Sequence, residues 1–232
     1  MKIICVATPS ANHTNTTTEG HKADIAAEGT HDMQCLPNGQ QGGEGLHLYM
    51  KPETAISRSD WPFFVPDWSE HIEASVQLAV RICRLGKSIP ERYAHRYYDE
   101  VTVGISFTAK DILGELASQG LPWEIATGFD GAAYCGQKWL RLSEMQRANG
   151  QSVKIQDMDF DIQFNEGKTL HCNTRDMLYT VDQVIAYASR YYLLKTGDLI
   201  FTGTPVVACR VNEGDVIAAK LEGEQVLTCR CK

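Results

Sequence analysis

No apolar run of about 18 residues occurs in the sequence, so no helix is expected to cross a bilayer. Positive charge is scarce: 22 Lys and Arg stand against 29 Asp and Glu, a net charge of −7. The Lys and Arg are also dispersed along the chain, so nucleic acid is not expected as a partner. Paired cysteine motifs for zinc are absent. The thiols are scattered as Cys5, Cys35, Cys83, Cys135, Cys172, Cys209, Cys229 and Cys231, several of them inside apolar runs. That is the habit of reduced, buried cysteines, so a cytoplasmic protein is expected rather than a disulfide scaffold. The segment Met1–Ala7 is too short an apolar stretch for a signal peptide and reads as a first buried strand. No internal repeat is visible.

What is present is ordinary for a globular chain: 43% hydrophobic and 22% charged residues over 232 positions. A chain of this length can bury a core without staples, and one domain over 1–232 is expected. Residues 8–45 interrupt it. They are rich in Thr, Asn, Gly, Gln and Glu, and read as a mobile or disordered insertion. Its His13, His21, His31 and Cys35, with His47 just beyond, are spaced too irregularly to suggest a metal site. Two stretches, Glu73–Cys83 and Val101–Asp111, alternate apolar and polar residues over part of their length and read as half-buried strands. Lys110–Gln119 has helical spacing, ended by Gly120 and Pro122. Val153–Phe164 reads as a strand, followed by a hairpin turn at Asn165–Lys168. Thr180 opens a helix with Gln183 in its first turn, and Leu199–Thr202 is a buried strand. The result is an α+β, β-rich chain with a few short helices.

Several segments then stand out together. They are Met50-Lys51-Pro52, Gly86-Lys87-Ser88-Ile89, Tyr97–Gly104, Gly120-Leu121-Pro122-Trp123, Phe129-Asp130-Gly131, Asn173–Met177 and, most specific, Leu194–Pro205. In these the chain resembles the fumarylacetoacetate hydrolase family. The resemblance implies a mixed β-sandwich roll, usually a homodimer, acting as a hydrolase, decarboxylase or isomerase on small 2-oxo or β-dicarbonyl acids. It also implies Mg or Mn held by two Glu one residue apart and a later Asp. Alternate strand residues face the same way, and hard cations need anionic oxygen ligands.

The match fails at those ligand positions. Ser75 and Gln77 stand where the two Glu belong, and Ser106 where the Asp belongs. Glu73 and Asp111 are the available substitutes. Lys110 replaces a usual Arg, and Thr127 lies where a Lys is common before Phe-Asp. His171 takes the place of a usual Gln, and Val207 and Cys209 replace turn glycines, so a remodelled loop is expected there. His13 corresponds to an acid/base His, but Thr16 replaces the Glu that orients it and Pro9-Ser10 the preceding Asn-Tyr.

The candidate catalytic residues carried over are thus His13, Lys51 and Thr204. The candidate substrate pocket comprises Asp130, Thr127, Lys110, Gly203 and Pro205. The leading expectation is a catalytically impaired or metal-free homologue that needs no cofactor and still binds a small carboxylate or a protein partner. One alternative is an active acylpyruvate-type hydrolase with a rearranged Mg or Mn site. Another is a non-enzymatic binding module using residues 8–45.

Overall fold

A computed structural model of the chain describes residues 1–7, 45–57, 60–147, 150–204 and 206–232. The expected insertion at 8–45 therefore lies outside the described residues, except for Gly45. The elements in order are β1 (Ile3–Val6), β2 (Leu48–Lys51), β3 (Ile56–Ser57), β4 (Ile72–Ile82), α1 (Glu91–Ala94), β5 (Tyr98–Ala109), α2 (Lys110–Ser118), α3 (Glu124–Thr127) and β6 (Ala133–Cys135). They continue with β7 (Leu140–Arg141), β8 (Asp159–Phe164), β9 (Leu170–Asn173), α4 (Val181–Tyr191), β10 (Leu199–Phe201), β11 (Cys209–Val211), β12 (Val216–Leu221) and β13 (Glu224–Arg230).

One mixed sheet runs β2-β1-β10-β4-β5-β6-β3, with β11 extending the pairing of β4 and β7 that of β5. The β1–β10 and β3–β6 pairs are parallel; the rest are antiparallel. A second, antiparallel sheet runs β13-β12-β8-β9. The first sheet is strongly curled. Three strands separate β2 from β5, so a flat sheet would hold them about 19 Å apart. Yet the Tyr49 hydroxyl on β2 is hydrogen-bonded to Ser106 Oγ on β5 at 3.0 Å. This is the mixed β-sandwich roll expected from the sequence.

The two long strands β4 and β5 lie at its centre. Even-numbered β4 residues from Ile72 to Ile82 and odd-numbered β5 residues from Val101 to Phe107 enter the larger core. Burying each large apolar side chain contributes about 1.5–3 kcal/mol, so this face carries much of the stability. The opposite face of the same strands lines the inside of the curl and can keep polar residues. There Ala79, Cys5 and Phe201 form a small second core. Gly104 makes room for it, because a Cβ at Gly104 would come within 2.6 Å of the Phe201 ring.

Element boundaries moved in three places. The second long strand begins at Tyr98 and stops at Ala109, because Lys110 and Asp111 open α2. The expected strand at 153–164 shrinks to β8. Val153, Ile155 and Met158 are buried, which gives the alternating pattern, but Asp157 N–H closes a turn on Lys154 O at 2.8 Å. Cys209 is not in a strained turn: it lies on β11 and pairs with Ala74 of β4, and neither it nor Val207 has positive φ. The capping box of α4 is formed, with Gln183 N–H donating to Thr180 Oγ1 at 3.1 Å and Thr180 N–H to Gln183 Oε1 at 3.0 Å.

Candidate substrate pocket

The inside of the curl brings Ser75, Gln77 and Ser106 together. Antiparallel pairing sets Ser75 directly across from Ser106 and Gln77 across from Gly104. Alternation then points Ser75 and Gln77 the same way. The three side chains are already satisfied by protein partners. Gly203 N–H donates to Gln77 Oε1 at 3.0 Å, and Gln77 Nε2 donates to Ser75 Oγ at 3.2 Å. The backbone N–H of Gly203 can only donate, so it fixes which end of the amide faces Ser75. Ser106 is taken by Tyr49, and burial lifts the Tyr49 phenol well above its ordinary value, with Cys5 adding to the rise and the Ser106 bond opposing it.

Lys51 reaches from β2 across to β5. It is 2% exposed and donates to the carbonyls of Thr127 (2.5 Å), Phe107 (2.9 Å) and Ala132 (3.0 Å). An ammonium has three N–H groups, and all three are used. Lys51 therefore ties β2 to β5, α3 and the start of β6. Burial pulls its pKa down to about 8, with the neighbouring Cys5 thiol opposing. Burial pushes Cys5 itself up to about 11, with Lys51 and Tyr49 opposing.

The other candidates are divided. Thr127 is buried at the end of α3, and its Oγ1 has no hydrogen-bond partner. Gly203 has φ 91, a left-handed turn that favours glycine, and its N–H meets Gln77. Thr204 Oγ1 is spent on its own turn, donating to Val206 O at 3.0 Å and accepting from Val206 N–H at 3.1 Å. Asp130 is exposed. His13 and Pro205 lie outside the described residues. His171 is on β9 in the second sheet, 2.7 Å from Asp161 Oδ1.

The two substitute carboxylates are engaged elsewhere. Glu73 lies 3.4 Å from His71 Nε2 and 3.8 Å from Lys110 Nζ. Asp111 accepts from Ser69 Oγ at 2.7 Å and Glu70 N–H at 2.8 Å. Desolvation raises the Asp111 pKa, but these hydrogen bonds outweigh it and hold the carboxyl below its usual range. Among the described residues, no three His, Cys, Asp or Glu side chains gather as a metal site would require. The donor set at Ser75, Gln77 and Ser106 is neutral and internally bonded, so it does not fit Mg or Mn.

Sequence reasoning missed Tyr49 and Cys5. The signal was available: Tyr49 and Lys51 are two apart on one short strand and share a face, and register sets Cys5 opposite Tyr49. A separate apolar hollow of about 450 Å³ lies next to Lys51, walled by Pro52, Trp68, Ile112 and Phe129, with Glu124 its one charge.

The sequence matches the profile described as Fumarylacetoacetate (FAA) hydrolase C-terminal over residues 2–232. It is 27% identical over 190 residues to the mitochondrial oxaloacetate tautomerase FAHD1 of Rattus norvegicus, covering 76% of each chain. It is 27% identical over 181 residues to the oxaloacetate tautomerase YcgM of Escherichia coli (strain K12), covering 78% of this chain and 80% of that one. The fold superposes on a fumarylpyruvate hydrolase from Pseudomonas aeruginosa, solved in complex with Mn2+ and pyruvate, with TM-score 0.74 and 22% identity, covering 100% of this chain and 89% of that one.

Proposed function

Because the chain belongs to the fumarylacetoacetate hydrolase family, we propose that it keeps the family's fold and pocket while lacking its metal-dependent chemistry. The observation that carries this reading is the bridge from Gly203 through Gln77 to Ser75, which fills the place of a cation with neutral hydrogen bonds. Stripping even the residues that orient a metal's ligands costs about 10–100-fold in affinity or activity, and here the anionic ligands themselves are replaced.

What the pocket offers instead is binding. The Thr127 hydroxyl is buried and unpartnered, and a small carboxylate is a ligand class that would accept its hydrogen bond. A homodimer is the assembly this reading carries. Cytoplasmic residence fits the seven described cysteines, all of them free thiols.

The relatives' activity supplies the assay. Oxaloacetate keto–enol interconversion and acylpyruvate hydrolysis are followed by ultraviolet absorbance, with and without Mn2+. The expected result is no rate above buffer in either condition. Mn2+-dependent turnover would overturn the proposal.

A further inference from the structure

Six cations from two separate stretches of the sequence, 84–96 and 190–195, are brought side by side. The chain from Arg84 to Tyr98 runs against the C-terminal half of α4. Gly86 N–H donates to Leu194 O at 3.0 Å, Leu194 N–H returns the bond at 2.8 Å, and Ser88 N–H donates to Ser189 O at 2.8 Å. Lys87 Nζ donates to Arg190 O at 3.0 Å. Arg84, Lys87, Arg92, Arg96, Arg190 and Lys195 are all exposed. Residues 84–98 and 186–195 contain these six cations and a single carboxylate, Glu91. They carry +5 in a chain of net −7, so the remainder carries −12. Elsewhere Arg81, Lys138, Arg147 and Arg175 are ion-paired. Among the described residues, none of the six is.

The arginines of this cluster are held on tyrosines. Arg92 and Arg96 each lie 4.8 Å from the Tyr93 ring centroid, Arg84 lies 6.0 Å from that of Tyr97, and Arg190 5.9 Å from that of Tyr187. A guanidinium over a ring face keeps in-plane N–H donors that suit a carboxylate. Apolar side chains are interleaved: Leu85 is 61% exposed, Tyr191 61% and Leu193 43%. A cavity of about 480 Å³ opens between Ser88–Glu91 and α4, with Tyr179, Tyr187 and Arg190 in its wall.

We propose that this cluster is a docking surface for an acidic protein segment carrying apolar side chains, one of which enters the cavity beside α4. Charge complementarity selects the acidic partner, because a cationic patch within an anionic molecule rejects other cationic surfaces. The exposed leucines favour protein over nucleic acid. So does the ring of Tyr93, which already has two arginines 4.8 Å from its centroid. The inference is independent of the chemistry inside the curl.

The probe is a fluorescein-labelled peptide of about 15 residues, alternating Glu with Leu and Phe, followed by fluorescence anisotropy in about 50 mM salt. The expected result is saturable binding that weakens about tenfold or more by about 300 mM salt. The Arg92→Glu/Arg96→Glu/Arg190→Glu variant, checked for folding by circular dichroism, should lose at least about tenfold, and Lys87→Glu should lose less than that but measurably. Lys220→Glu, an exposed charge on β12, should bind as the parent does. Four results would overturn the proposal: no peptide binding at low salt, equal loss in Lys220→Glu, tighter binding of an oligouridylate of the same length, or salt-sensitive self-association that occupies the surface with a second copy.

Discussion

Gln77 accepts the backbone N–H of Gly203 at 3.0 Å, and this single bond sets the character of the pocket. It turns the amide nitrogen toward Ser75, where a metal-binding carboxylate would present a second acceptor. Gln77 is 2% exposed, so neither end of its amide has bulk water to fall back on. Replacing Gln77 by Leu should leave the Gly203 N–H unpaired and cost about 1–3 kcal/mol of stability. Urea denaturation at constant m-value measures it. An unchanged midpoint would show that water replaces the amide without loss.

Lys51 gives a prediction with a pH signature. Replacing it by Met keeps much of the volume but removes all three donors to Phe107, Thr127 and Ala132, with an expected cost of about 2–4 kcal/mol near neutral pH. The folded pKa is about 8 against an ordinary 10.5. Between those values the unfolded chain holds a proton that the folded chain has released, so stability contributed by Lys51 rises with pH through that window. The gain is at most about 3 kcal/mol, at about 1.36 kcal/mol per unit. Cys5 works the opposite way, because its folded pKa is raised. The comparison of parent with Lys51→Met at each pH isolates the lysine. A difference that shrinks as pH rises would contradict the assignment.

Much of the fold could be read from the sequence, and the reasons are local. The alternation in β4 and β5, the Thr180–Gln183 capping box and the Asn165 turn are each set by neighbouring residues, so they came out close to where they were expected. That Ser75, Gln77 and Ser106 are neutral was also legible, because it needs only residue identities. Their partners were not. The Tyr49–Ser106 bond joins strands that are neighbours only after the sheet curls, and the Gly203–Gln77 bond spans 126 positions. The basic surface was hidden for the same reason. Its two halves are separated by about 90 residues and meet only because Gly86 pairs with Leu194.

Thr127 supplies a prediction of opposite sign. Its hydroxyl is buried without a partner, and Val has the same shape without the polar atom. Thr127→Val should stabilise the ligand-free protein by about 1 kcal/mol, read as a higher thermal midpoint. A lower midpoint would show that the hydroxyl is satisfied, through a bridging water or a slightly different side-chain rotamer.

The most direct test of a pocket without metal chemistry is a calorimetric titration of the protein with MnCl2. The Ser75→Glu/Gln77→Glu/Ser106→Asp variant, which restores three carboxylates on the same two strands, is run beside it. The parent should show no saturable heat up to about 1 mM Mn2+, while the restored variant should bind. A micromolar dissociation constant for the parent would contradict the reading of Ser75, Gln77 and Ser106 as a neutral, closed hydrogen-bond network.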